Sequence, residues 1–176
     1  MTHPDTATPG PMHARGPREQ FLDVYQKEHA VTEKVLRAFP ADRGDFRPHE
    51  RSNSALQLAW TFVVEERMML LAVRGQEVLG SGFPAAPETM EGVLAAFAAQ
   101  HDELVRALRE ADDSVMDGTV RFYTGPGQVG EYRTGTFLWF MLHDQIHHRG
   151  QLSVYVRMAG GKVPSIYGPT ADEPWR

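Results

Sequence analysis

The stretch MLHDQIHHRGQLSVYVRMAGG, Met141 to Gly161, decides the fold. Its apolar residues recur at helical spacing, and two glycines at its end signal a helix stop. The pattern extends back to about Thr134 and predicts a helix over residues 134–159. Asp144 and His148 interrupt its apolar positions, and an interruption of that kind needs a physical explanation.

Helical geometry places Asp144 and His148 one turn apart on the same side of this helix, since an ideal helix turns about 100° per residue. On this geometry they occupy the middle of the apolar stripe, with His147 at the rim and His143 about 100° away. The other residues predicted to share the inward face are Phe137, Phe140, Met141, Gln151, Tyr155 and Met158.

The second predicted helix, from near Ser54 to about Gly75, carries a similar anomaly. Glu65 lies on the same apolar face as Thr61, whereas Glu66 points elsewhere and is predicted to be an ordinary surface acid. A buried, unpaired charge is costly. Two explanations therefore stay open: a structural hydrogen-bonded network, or a divalent cation held between the helices.

Two further amphipathic segments, residues 17–39 and 87–111, complete the helical pattern. We predict an all-α fold, a four-helix bundle with a long connection before the last helix and a non-helical C-terminal tail. Val120, Phe122 and Tyr123 in the connection indicate a short extended piece.

Composition narrows the function classes. The net charge of -5 gives no electrostatic footprint for nucleic acid, and no apolar run is long enough to span a membrane. The chain has no cysteine, so thiolate metal sites and cysteine nucleophiles are excluded. We expect a cytoplasmic protein with a disordered leader over residues 1–16 and one bundle domain over residues 17–176.

Four sequence elements resemble proteins of the DinB family, within the DinB/YfiT-like superfamily. HHRGQ (147–151), YVRMAGG (155–161) and VPSIYGP (163–169) resemble the end of that family's chain. FRPHERSNSALQLAW (46–60) is similar to the start of its second helix. The likeness covers nearly everything after the leader and implies a four-helix bundle with a long connection before the last helix.

The resemblance implies a divalent-metal site with one histidine from helix two and an i, i+4 histidine pair from helix four. The second member of that pair falls at His148, while the first falls at Asp144 and the helix-two position at about Thr61. Two of the three family histidines are thus replaced. With Glu65 one turn after Thr61, the predicted ligands are Asp144, His148, Glu65 and Thr61, for Zn, Ni, Mn or Fe.

The resemblance also implies an activity: a bacillithiol-type thiol S-transferase that acts on small electrophiles in stress or detoxification. A metal that lowers a thiol pKa suits a cysteine-free chain, because the thiol arrives as a cosubstrate. Two alternatives stay open: a non-catalytic bundle with a degenerate metal site, which binds a ligand or forms a stress-related dimer, and a metal-dependent hydrolase. The predicted partners are a small electrophile, a low-molecular-weight thiol and a second copy of the chain, without nucleic acid or membrane.

The remaining polar and aromatic residues receive structural interpretations. His29 and His101 are predicted to be exposed and inert. Arg149 is predicted to face away from Asp144 and to form either a structural ion pair or a contact at a helix end. Trp139 and Ile146 are predicted to lie on an outward apolar strip, which favours a homodimer.

Overall fold

The computed structural model of the protein describes residues 15–175. Four long α-helices dominate it, and their limits lie within about three residues of those that the periodicity predicts. They are α1 (Pro17–Ala38), α2 (Ala55–Val73), α3 (Met90–Glu110) and α4 (Thr134–Met158). Residues 1–14, most of the predicted leader, lie outside the described residues.

Local sequence signals fix the helix starts. Ser54 and Gln57 form a capping box at α2: the Ser54 hydroxyl accepts from the Gln57 N–H, and the Gln57 side chain accepts from the Ser54 N–H at 2.9 Å. Thr89 caps α3 by accepting from the Gly92 N–H. Pro17 opens α1, where its missing N–H costs nothing.

The helix pairs that pack together are α2 with α3 and α4, and α1 with the same two helices. Helices α1 and α2 therefore face each other diagonally across the bundle. Two apolar clusters fill the interior, one around Phe21, Met69, Leu104 and Phe137, the other around Leu36, Phe62, Phe97 and Val156. Their burial supplies the main stabilisation of the fold.

Buried polar side chains lie along the helices between these two apolar clusters, and we call this set the polar layer. The half-buried His101 of α3 lies at the margin of the polar layer and is not counted among its members. The members of the polar layer are His29, Thr32, Glu65, Glu66, Gln145 and Arg149. Because buried polar groups need partners, this layer is where the fold departs from a plain hydrophobic bundle.

The connection before α4 corrects the all-α prediction. It forms an antiparallel hairpin of β1 (Thr119–Gly125) and β2 (Gln128–Arg133), so the fold is predominantly helical with a small two-stranded sheet. Val120 is buried, and the ring of Phe122 packs edge-on against Phe137 of α4. The extended piece predicted around Val120 is confirmed, but β2 was missed because little in its sequence alternates apolar and polar residues.

The tail after α4 contains no helix, as predicted from its prolines. Lys34 of α1 donates to Glu173 at 2.6 Å, and Arg157 of α4 pairs with Asp172. These contacts hold the tail against α1 and α4. Within residues 15–175, no helix is long and apolar enough to cross a membrane.

Candidate metal centre

Glu65 of α2 meets Asp144 and His148 of α4 where the two helices pack together. Glu65 Oε1 lies 3.0 Å from His148 Nδ1. One ligand atom from each of the three residues lies within 4.8 Å of the others. The structure thus brings together three of the four residues that the sequence singled out, and we call these three the candidate metal centre.

Thr61, the fourth predicted ligand, lies one turn before Glu65 and is half-buried. Its hydroxyl donates to the backbone carbonyl of Gln57 at 3.2 Å. The hydroxyl is therefore engaged with its own helix, as is common for threonine inside a helix. Its place among the ligands stays a prediction.

The Glu65 carboxylate is in an unfavourable environment for a charge. The side chain is 4% exposed, and Oε2 has no hydrogen-bond partner among the described residues. Burial raises the pKa of Glu65 to about 7, although the hydrogen bond from His148 acts in the opposite direction. The same hydrogen bond raises the pKa of His148. An added proton, or a cation in its place, would stabilise the pair of Glu65 and His148.

The buried face of α4 differs from the prediction, which centred it on Asp144. Gln145 and Arg149 are fully buried, while Asp144 and His148 are half-buried at the edge of the face. The residues predicted to point inward that are exposed instead are Phe140, Gln151 and Met158. The reason is that α4 packs against both α1 and α2. The α4 side chains that face those two helices include polar ones.

Because Asp144 and His148 lie at the edge of the buried face, the candidate metal centre is accessible from one side. The His148 side chain is 21% exposed, whereas Glu65 lies beneath it. At the rim, the exposed His147 lies beside His148, with ring centroids 5.5 Å apart, and its Nε2 is 2.9 Å from the side-chain nitrogen of Gln151. A small molecule can thus reach His148 from solvent.

A second polar cluster, which we call the inner cluster, consists of Tyr25, His29, Glu66 and His101. Glu66 is completely buried, so its prediction as a surface acid is wrong. The Tyr25 hydroxyl donates to Glu66 Oε1 at 2.6 Å, and His29 Nδ1 lies 2.9 Å from the same oxygen. These contacts cross the diagonal of the bundle from α1 to α2.

The two histidines of the inner cluster also contradict their prediction as exposed and inert. Their rings stack with centroids 3.6 Å apart, and His101 Nδ1 lies 3.0 Å from the Tyr25 hydroxyl. Burial lowers the pKa of both His29 and His101 to about 4, so both are neutral at pH 7.

Sequence reasoning missed the inner cluster because its members come from three helices whose diagonal arrangement no local pattern reveals. The one available signal was Tyr25 and His29, one turn apart along α1. Ligand atoms of His29, Glu66 and His101 also lie within 4.8 Å of one another. Three hydrogen bonds already join four atoms of the cluster, which favours a structural network.

Arg149 forms the structural ion pair that was predicted, but inside the bundle and not on its far side. It is 1% exposed and lies 2.7 Å from Glu28 Oε2. It also donates to the hydroxyl of Tyr167, which donates in turn to Glu28 at 2.7 Å. Tyr167 therefore anchors the tail.

The predicted outward strip on α4 is not present as described. Trp139 and Ile146 are half-buried and pack against the apolar cluster around Phe21. Trp139 meets Phe21 edge-on, with ring centroids 5.2 Å apart. Phe21 of α1 thus packs against Trp139, which periodicity alone had left without a neighbour.

Comparison with known proteins shows which family the sequence matches. The model of the DinB family matches residues 11–175. One curated relative, the uncharacterized protein YrdA of Bacillus subtilis (strain 168), is 51% identical over 39 residues, which is 22% of this chain. The matched segment spans about a quarter of that relative's length (23%).

Two solved structures share the fold. A DinB-like protein from Bacillus cereus ATCC 10987 is 22% identical with a TM-score of 0.70, over 85% of this chain and 97% of that one. The DinB-like protein YjoA from Bacillus subtilis is 18% identical with a TM-score of 0.68, over 84% and 97%. Similarity at this level establishes the fold alone.

Proposed function

The chain belongs to the DinB family, and on that premise we propose that it is a metal-dependent enzyme that transfers a small thiol to an electrophile. Glu65, Asp144 and His148 are the proposed ligands of a divalent cation. The observation that carries the proposal is the buried Glu65 carboxylate, whose Oε2 has no partner in residues 15–175 although Asp144 and His148 lie beside it.

Charge supports a cation at this place. Neither Glu65 nor Asp144 forms an ion pair with a lysine or arginine among the described residues. Two carboxylates that lie this close and have no lysine or arginine partner are costly to ionise together. A divalent cation offsets both charges, and a set of two carboxylates and one imidazole suits Zn, Ni, Mn or Fe better than a soft ion.

The residues of the chain then have distinct tasks. Glu65 and Asp144 fix the site from two helices, and His148 approaches from the solvent side. When bound, the cation supplies Lewis acidity that favours the thiolate form of a thiol cosubstrate. The exposed His147 at the rim is the residue that we propose accepts the thiol proton. The sulfur then bonds to the electrophilic carbon, and the leaving group departs with its electron pair.

A conjugation assay tests this proposal. The metal-loaded protein is mixed with bacillithiol or a simpler thiol and with 1-chloro-2,4-dinitrobenzene, and thioether formation is followed. We expect catalysis that needs both thiol and metal, is lost in His148→Ala and persists in His143→Ala. Consumption of the electrophile without thiol would indicate the hydrolase instead, and no turnover with any thiol would favour the non-catalytic bundle.

The proposal includes a cytoplasmic location, a role in stress or detoxification, and a homodimer. The role in stress or detoxification rests on the family resemblance of the sequence, the location on its composition, and the homodimer on exposed apolar side chains. The small electrophile and the low-molecular-weight thiol are the proposed partners.

A further inference from the structure

A cavity of about 200 Å³ lies away from the candidate metal centre, between α2, α3 and the segment that joins them. Its wall is mostly apolar, and Trp60 and Phe83 give it two aromatic surfaces. The other apolar lining residues are Val63, Val64, Pro84, Ala96 and Ala99. A mostly apolar hollow with a few polar groups is typical of a small-molecule site.

Two polar side chains that also line this cavity lack partners. Arg67 Nε and Gln100 Nε2 are buried and form no hydrogen bond with any described residue. They account for two of the four such side-chain atoms in residues 15–175, and the others are oxygens of Glu65 and Glu66. Leaving a buried donor without an acceptor is costly. Both atoms are donors, so a ligand that satisfied them would have to accept hydrogen bonds.

The charge of Arg67 makes the requirement more specific. Arg67 is half-buried and forms no ion pair within the described part of the chain. Glu103 is the acidic residue in the lining, but its carboxylate lies 3.4 Å from Arg74 in a solvent-exposed pair. The planar guanidinium of arginine matches a carboxylate in shape and charge.

We propose that this cavity binds a small apolar carboxylic acid. The carboxylate accepts hydrogen bonds from Arg67 and Gln100, and the apolar body packs against Trp60 and Phe83. A cavity of about 150 Å³ holds benzene, so one of about 200 Å³ suits an aromatic or short aliphatic acid of similar bulk.

The cavity and the candidate metal centre lie on different sides of α2. Arg67 projects about 160° around the helix axis from Glu65, given about 100° per residue. The inference therefore does not depend on the proposed thiol transfer. It also predicts that the two sites lose binding through different substitutions.

Calorimetric titration of the full chain with benzoate, phenylacetate and hexanoate tests the proposal, with Trp fluorescence as a second readout. We expect saturable binding of at least one acid at one site per chain. Its neutral counterpart (benzyl alcohol for benzoate) should bind at least ten-fold more weakly, a comparison that needs no variant.

Variants locate the site. Arg67→Met and Gln100→Leu should each weaken the acid at least ten-fold, whereas Arg106→Met, which removes an exposed cation from α3, should not. His148→Ala should leave acid binding unchanged. The proposal is wrong if none of the acids saturates, if acid and alcohol bind equally, or if Arg67→Met retains full affinity. It is also wrong if His148→Ala abolishes binding, since the acid would then occupy the metal centre.

Discussion

Glu65 Oε1 lies 3.0 Å from His148 Nδ1 across the packed faces of α2 and α4, and the second oxygen of the same carboxylate has no partner in the described chain. A carboxylate held in this way either shares a proton with the imidazole or meets a cation. These two states respond differently to pH and to metal, so solution measurements distinguish them.

The proton-sharing state predicts a pH dependence in metal-free protein. The pKa of Glu65 is about 7 in the fold and 4.5 in the unfolded chain, so the folded state binds more protons between these values. The free energy of unfolding therefore falls as pH rises through this window, by about 3 kcal/mol from Glu65. His148, whose pKa is also raised, acts with the same sign above pH 6.5.

Urea unfolding in EDTA at pH 5 and pH 8 measures this effect. Glu65→Gln cannot ionise, so it should lose less stability than the wild type between the two pH values. Glu110→Gln, an exposed substitution at the end of α3, should follow the wild type. Parallel pH profiles for the wild type and Glu65→Gln would contradict the assignment of a raised pKa.

The inner cluster predicts a pH dependence of opposite sign. The pKa of His29 is about 4 in the fold and 6.5 in the unfolded chain, so the unfolded state binds more protons between these values. This contribution to stability is present above pH 6.5 and is lost as pH falls toward 4, by about 3 kcal/mol. Acid unfolding of His29→Asn should therefore be shallower than that of the wild type. Equal slopes would show that His29 is not buried in its neutral form.

Arg149 should be the most sensitive charged residue outside the metal centre. Arg149→Met leaves Glu28 without its buried partner and should lower the free energy of unfolding by about 3–5 kcal/mol. Tyr167→Phe removes one hydrogen bond and should cost about 1 kcal/mol. Arg37→Met breaks an exposed pair with Glu33 and serves as the control, with a cost of at most about 1 kcal/mol. A loss at Arg149 no larger than at Arg37 would exclude a buried ion pair.

The homodimer stays a prediction, and light scattering measures it directly. The hairpin and the start of α4 expose Tyr123, Val129 and Phe140, an apolar surface that favours self-association. Phe140→Ser should shift the chain toward monomer without a change in its circular dichroism spectrum. A wild-type monomer at high concentration would contradict the prediction.

The sequence predicted the helices well, because capping residues and 3.6-residue periodicity are local signals. Ser54 marks a helix start that the structure confirms. It also predicted that Glu65, Asp144 and His148 meet: the family resemblance gave Asp144 and His148, and helical geometry added Glu65. The hairpin strand β2 escaped prediction because its stability comes from pairing with β1 and not from its own pattern.

What the sequence could not provide was the environment of each helix face. Periodicity treats a helix as having one buried side, yet α4 contacts both α1 and α2, and its most buried polar residues are Gln145 and Arg149. Glu66 and His29 are buried only because α1 and α2 lie diagonally opposite. Such placements depend on the arrangement of all four helices, which residue spacing does not encode.

Metal-dependent melting tests the central claim most directly. The metal-free protein, without a His tag, is melted with Zn, Ni, Mn or Fe(II), and bound metal is counted by elemental analysis. At a free metal concentration of 100 Kd, the added stability is about 2.7 kcal/mol, which raises Tm by about 5–10 °C for a chain of this size. We predict such a rise with at least one of these metals, its loss in His148→Ala, a strong reduction in Asp144→Ala, and no change in His143→Ala. A Tm unaffected by all four metals, or a metal-induced rise that survives His148→Ala, would contradict the account.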